Sequence, residues 1–305
     1  MERDFKIQLT AVIPIRSMAG RLDNLSFTLQ LCTKLPIQIV IVHDYADDGT
    51  EEDLIQVLEV LSNENIEKYN VQYSSPGLAR NLGMKYAKAE WICFWDCDDL
   101  PDPCAYISLL NSLNPTEYGV LIGGIATQSG SDISTRMIHP TLVAKNLLQM
   151  HLANMPAFTR MIFKRSVIGE HVFPAFKIGE DQCFLRKIEF LNSRVFYSEE
   201  LMYVYISDFG GQLSRRPHLA SELALTLEFL AGELENSPPK MEIFCQTQFL
   251  KLFISSCRKE GWIRTSSLAP KAFRAAMKLI AKTPRRTAQI FLFLARNRPQ
   301  LAGRE

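Results

Sequence analysis

The chain lacks an apolar run long enough to span a bilayer, and Met1-Glu2-Arg3-Asp4-Phe5-Lys6 has none of the apolar character of a secretory signal. A cytoplasmic location is therefore expected. Paired cysteines are lacking too: the seven in 305 residues are an odd number and include no Cys-x-x-Cys. Cys93, Cys97 and Cys104 have no companion His and Cys at zinc-site spacing, and Cys32, Cys93, Cys183 and Cys245 sit in apolar runs as reduced core residues do. There is no internal repeat and no low-complexity stretch, which argues against a solenoid or a disordered chain. Charge of one sign is not in surplus either, with 34 basic and 33 acidic residues. No basic patch interleaved with aromatics occurs in the body of the chain, so nucleic acid is not an expected partner.

The balanced total hides a division. From Arg258 to Glu305 there are 12 Lys and Arg against two Glu. Arg274, Lys278, Lys282, Arg285 and Arg286 share this stretch with Phe273, Met277, Leu279, Ile280 and the run Ile290 to Leu294. That is the pattern of basic amphipathic helices. They either lie on an anionic membrane surface, making the protein peripheral on the inner face, or pack on the body with their charges in water.

The most informative stretch is Trp91-Ile92-Cys93-Phe94-Trp95-Asp96-Cys97-Asp98-Asp99. An apolar run of strand length ends in three carboxylates, whose mutual repulsion calls for compensation. A divalent cation with a nucleotide phosphate completing its shell would supply it; a solvated acidic turn is the alternative. Leu9 to Ile15, Ile37 to Val42, Asn70 to Ser74 and Trp91 to Trp95 are candidate strands, alternating with helices over Leu22 to Lys34, Glu51 to Ser62 and Pro76 to Lys88. Such alternation predicts an α/β fold with a mainly parallel sheet flanked by helices, and ligands at the strands' carboxyl ends. Arg16, Asp44 and Asp96 to Asp99 cluster there. Further strands are expected at Tyr118 to Ala126, Arg160 to Lys164, Arg194 to Tyr197 and Met202 to Ile206, with helices over Pro140 to Met150 and Gly179 to Asn192. The segment from Pro217 reads as helical, giving a catalytic domain over 1–216 and a basic helical extension over 217–305.

Several motifs, in order, resemble the inverting family 2 glycosyltransferases of the GT-A fold. Leu9 to Pro14 is similar to that family's opening strand. Val40-Ile41-Val42-His43-Asp44 with Asp47-Asp48-Gly49-Thr50 is similar to its second strand and acidic turn, Pro76-Gly77-Leu78-Ala79-Arg80-Asn81 to its Ala-Arg-Asn helix start, and Gly179-Glu180-Asp181 to its Glu-Asp motif. The resemblance implies metal-dependent transfer of a sugar from a nucleotide sugar, of the uridine diphosphate kind, to a glycan or lipid-linked glycan. It implies manganese or magnesium at Asp98, with Asp96 on the ribose or the hydrated metal and Asp99 in support. Asp44 would accept from a base N–H, with Pro14, Arg16 and Arg80 also about the nucleotide. Asp181, beside Glu180, would be the base. A late histidine found in many relatives is missing, which leaves Asp208 or Gln212 as a further metal ligand and Arg215 and Arg216 as diphosphate partners. His43, His139, His151 and His171 have no paired spacing. Donor and acceptor choice would lie in the loops Gly124 to His139, Leu152 to Thr159 and Gly210 to Arg216. A non-catalytic nucleotide-sugar-binding or scaffolding protein and a nucleotidyltransferase are the competing readings. The loop after the first strand is not glycine-rich with Arg and Lys, which counts against the last.

Overall fold

The computed structural model describes residues 6–61, 63–112, 117–130, 132–136, 157–207, 220–260, 266–282 and 284. The described residues up to 207 form one compact unit and those from 220 onward another.

The first unit is built on a nine-stranded sheet. Strands β1 (Leu9–Ile15), β2 (Ile37–Asp44), β3 (Ile66–Val71) and β4 (Trp91–Phe94) form its parallel half, in the order β3-β2-β1-β4. Every residue of β2 and of β4 is buried, as expected of strands covered on both faces. Beyond β4 the sheet becomes mixed. β8 (Met161–Lys164) runs antiparallel between β4 and β6 (Val120–Ser129), and β9 (Val195–Ile206) pairs parallel with β6. The two-residue β5 (Leu100–Pro101) closes the β9 edge, and β7 (Asp132–Arg136) forms a hairpin with β6.

The helices of this unit are α1 (Asp23–Cys32), α2 (Thr50–Leu61), α3 (Pro76–Tyr86), α4 (Pro103–Asn111), the single turn α5 (Arg165–Ile168) and α6 (Glu180–Lys187). α3 packs on β1 and β2. Beneath the site lies an aromatic core: Phe94 stands 4.9 Å from Phe158 and 5.2 Å from Phe173, and Phe173 stacks on Phe184 at 3.9 Å. The second unit holds α7 (Ala220–Glu233), α8 (Glu242–Glu260) and α9 (Ala269–Lys282), with α8 packed on both others.

Three elements differ from the expectation. The third strand lies earlier, at Ile66–Val71, because the chain at Tyr73 and Ser75 turns to cover the Asp44 carboxylate instead of continuing the ladder. The two late strands are one, β9, whose exposed Glu199-Glu200-Leu201 centre interrupts the apolar pattern in sequence; its register with β6 shifts at Gly124. The helix expected over Gly179 to Asn192 ends at Lys187, where Glu189 takes a left-handed φ of 46° before a short 3-10 turn. The helix expected over Pro140 to Met150 and the run Ile290 to Leu294 lie outside the described residues.

Candidate active site

β1, β2 and β4 are parallel neighbours, so their carboxyl ends share one edge of the sheet. Val12 pairs with Phe94 and Ile15 with His43, which brings Arg16, Asp44 and Asp96 to that edge. Pro14 belongs to the same geometry. The Val12 carbonyl accepts from Trp95 N–H at 3.1 Å, so Val12 and, two residues on, Pro14 turn their backbone polar groups toward β4. β4 has ended by that level, and the missing N–H of Pro14 costs no ladder bond.

Asp44 is buried at the end of β2 and organises the loop before α3. Its Oδ1 accepts from Tyr73 N–H at 2.7 Å and its Oδ2 from Ser75 N–H at 3.2 Å, while Arg16 Nη1 lies 3.1 Å from Oδ2. Arg16 also donates to Ser74 Oγ at 2.9 Å. Both flanking serines, Ser17 and Ser74, hold a positive φ of 56° and 52°, a strained backbone of the kind found around ligand sites. Asp44 Oδ1 keeps a second lone pair for a further donor.

The centre of the site is Arg80. α3 begins cleanly, with Ser75 capping Leu78 N–H and Pro76 in the first turn. One turn later Arg80 is buried, its Nη1 2.5 Å from Glu180 Oε1 and its Nη2 2.8 Å from Asp96 Oδ1. The guanidinium lies over the rings of Phe158 and Phe173 at 5.8 and 5.7 Å. Burial works against its charge, but Asp96, Glu180 and Asp181 together outweigh that and hold it above the usual range. Next in sequence, Asn81 donates to the Phe173 carbonyl at 3.0 Å and accepts from its N–H at 2.8 Å. α3 approaches this segment so closely that a Cβ on Gly77 would stand 2.5 Å from the Pro174 carbonyl and 3.3 Å from Glu180 Cγ. The Ala-Arg-Asn motif is therefore a clamp that holds the chain leading into α6.

The acidic run after β4 divides into three environments. Asp96 is tied to Arg80. Asp99 is buried, its Oδ2 accepting from the Tyr203 hydroxyl at 2.7 Å and its Oδ1 from Ile206 N–H at 2.8 Å, and Tyr203 also accepts from Asp96 N–H at 3.2 Å. Asp98 has no ion-pair partner among the described residues. Burial first, and then the charge of Asp96, push its carboxyl up to about 6.

The Glu-Asp pair divides in the same way. Gly179 starts α6 with a left-handed φ of 75°, which a residue with a Cβ adopts only at a cost. Glu180 then turns inward to Arg80, and burial raises it to about 7 against the pull of that arginine. Asp181 instead accepts, among the described residues, from Gln182 alone, through its N–H and its Nε2, both at 2.8 Å. Burial raises its carboxyl above the ordinary range, with Gln182 and Arg80 opposing.

With that geometry in view, the model of glycosyl transferase family 2 matches residues 15–172. The chain belongs to that family. Poly(ribitol-phosphate) beta-N-acetylglucosaminyltransferase TarP of Staphylococcus aureus is 29% identical over 213 residues, covering 66% of this chain and 63% of that protein. Poly(ribitol-phosphate) beta-glucosyltransferase of Bacillus spizizenii is 24% identical over 214 residues, 68% of this chain and 33% of that one. The chain thus spans between a third and just under two thirds of these relatives' length. Among solved structures, Staphylococcus aureus TarS 1-349 in complex with UDP-GlcNAc aligns with a TM-score of 0.61 at 20% identity, covering 92% of this chain and 82% of that one. The mannosyltransferase PcManGT of Pyrobaculum calidifontis, in complex with GDP-Man and manganese, aligns with a TM-score of 0.57 at 16% identity, covering 94% and 79%. These two likenesses show the GT-A fold.

In this family 2 chain the sheet edge gathers Pro14, Arg16, Asp44, Arg80, Asp96, Asp98, Glu180 and Asp181 of the residues singled out for the site. Asp208, Gln212, Arg215 and Arg216 lie outside the described residues. Among the described residues no three His, Cys, Asp or Glu side chains are grouped to hold a metal on their own. His43 is buried and paired with Glu51 on the flank of β2. Three participants were not singled out for the site. Arg21, in the loop after β1, places a positive charge within reach of Asp98; Tyr203 anchors Asp99; and Gln182 orients Asp181. A basic residue just past the first strand was the one available signal for Arg21.

Proposed function

We propose that this family 2 enzyme moves a sugar, with inversion at the anomeric carbon, from a uridine diphosphate sugar to a hydroxyl of a phosphate-linked polyol or other glycan. The observation that carries the reading is the split within each acidic pair. Arg80 takes Glu180 and Asp96, leaving Asp181 and Asp98 without an ion pair among the described residues. Asp181 is suited to be the base: a raised carboxylate with no ion-pair partner takes the acceptor's proton as its oxygen bonds to the anomeric carbon and the bond to the diphosphate breaks. Asp44 and Arg16 suit the base and ribose side, with hydrogen-bonding capacity remaining on Asp44 Oδ1. The names of the poly(ribitol-phosphate) relatives support the acceptor class, and the TarS complex supports the donor.

Asp98 fits a hard divalent cation such as manganese or magnesium. It offers an oxygen donor that burial first, and then the charge of Asp96 beside it, press toward neutralisation. With no three-residue cage among the described side chains, the remaining ligands would be diphosphate and water oxygens. Such an ion would neutralise charge on the leaving diphosphate. Thermal-shift measurements with UDP-glucose, UDP-GlcNAc and GDP-mannose, each with and without manganese, test the donor. A uridine sugar should stabilise the protein most, more so with manganese, and Asp98→Asn should remove the manganese increment. Stabilisation by GDP-mannose alone, or an increment that survives Asp98→Asn, would overturn the corresponding assignment.

A further inference from the structure

Helix α9 in the second unit carries more apolar bulk outward than inward. Ala272, Ala275 and Leu279 are buried and face α8, whereas Phe273, Met277 and Ile280 are 68%, 50% and 43% exposed. The exposed three recur at i, i+4 and i+7 and form one stripe along the helix. At 100° per residue, Arg274 flanks that stripe, and Lys278 and Lys282 follow farther round the helix. Lys278 is 3.9 Å from Glu242, and Lys282 pairs with the same carboxylate. Arg274 has no hydrogen-bond or ion-pair partner among the described residues. A small open pocket lies along this basic side, lined by Lys271, Arg274 and Lys278 with Glu235 and Gln246, and Glu242 stands beside Lys278, so that Arg274 is the cation left unpaired there.

The two features call for a partner offering hydrocarbon and phosphate together. A polyanionic glycan would neutralise the cations but leave the stripe in water. An apolar protein surface would cover the stripe but leave Arg274 uncompensated. We infer that α9 lies on an anionic lipid surface, with Phe273, Met277 and Ile280 entering the acyl boundary and Lys271, Arg274 and Lys278 taking lipid phosphates. The long basic side chains reach up from the buried stripe to the headgroups. This assignment concerns the helical unit alone and is independent of the sugar donor and acceptor proposed above. No described helix is long and apolar enough to cross a membrane, so the contact is a surface one.

The test is co-sedimentation of the full chain with vesicles of phosphatidylcholine alone and of phosphatidylcholine mixed with phosphatidylglycerol. Binding should require the anionic lipid and weaken as salt rises. Arg274→Gln with Lys278→Gln should weaken it roughly 25-fold, at about fivefold per cation. Phe273→Ser with Met277→Ser should weaken it by about tenfold. These side chains are at the surface, so unchanged melting of both variants is expected and separates lost binding from lost folding. Three results would overturn the inference: equal binding to neutral vesicles or none to either; loss only in the cation variant together with displacement by a soluble phosphodiester polymer; or a serine variant that changes self-association but not vesicle affinity.

Discussion

Two short acidic runs meet across Arg80, and their resemblance is instructive because their members behave so differently. After β4, Asp96 gives its carboxylate to Arg80, Asp98 forms no ion pair among the described residues, and Asp99 is spent on Tyr203 and the backbone of Ile206. At the start of α6, Glu180 gives its carboxylate to Arg80 and Asp181 is left to Gln182. One guanidinium thus selects one member from each run. The carboxylates it leaves are the ones we propose to carry the chemistry: burial raises both, and each would gain from a positive partner, a metal ion at Asp98 and a proton at Asp181. Role follows from which donors are within reach, not from position in an acidic motif.

The sharpest break in that comparison is Asp181→Asn. The amide keeps the shape and the Gln182 contact but cannot take a proton. Turnover should fall by about 10²–10⁴-fold, while binding of the nucleotide sugar and melting temperature are retained. Turnover within a few-fold of the parent would mean that the unpaired member is not the base. Glu180→Gln should not share that loss, since its carboxylate is committed to Arg80. Removing the shared partner acts on stability instead. Arg80→Met leaves two carboxylates beside an aromatic floor with nothing to compensate them, and breaking a buried pair in this way costs about 3–5 kcal/mol. Urea unfolding should show that loss, and Arg80→Lys should recover only part of it, because an ammonium cannot span both carboxylates as the forked guanidinium does. A loss below about 1 kcal/mol would place Arg80 among ordinary surface pairs.

Much of this arrangement could be read in advance because it is local. The apolar runs of β1, β2 and β4, the Ser75-Pro76 start of α3 and the acidic stop after Trp95 are all written within a few residues, and each was placed to within one or two positions. Asp102-Pro103 is as plain a helix start, with Asp102 accepting from Cys104 and Ala105 N–H groups at 3.0 and 3.2 Å, although α4 is not among the helices expected from the sequence. What local pattern cannot supply is the role of Arg80. Its floor comes from Phe158 and Phe173 and its second carboxylate from Glu180, 100 residues away, so a nucleotide-binding arginine and an internal clamp look alike in sequence. The same holds for Asp99, whose hydroxyl partner Tyr203 sits in a strand 104 residues later.

The finest test of the comparison uses pH and the committed member of the second pair. Burial lifts Glu180 to about 7 in the folded protein, above the ordinary range of a glutamate in the unfolded chain. Between those two values the folded state holds a proton that the unfolded state has released, so unfolding releases a proton. Stability contributed by this group is therefore present at low pH and is lost as pH climbs to about 7. Asp98 and Asp99, also raised, give slopes of the same sign. Subtracting the profile of Glu180→Gln from that of the parent isolates the single group, because the amide does not titrate. The difference should decline from pH 5 toward about 7 and flatten beyond it. A flat difference would show that Arg80 keeps Glu180 ionised throughout, so that the pair is a fixed ion pair. A decline places Arg80 nearer to Asp96 in its allegiance and makes the two halves of the clamp unequal.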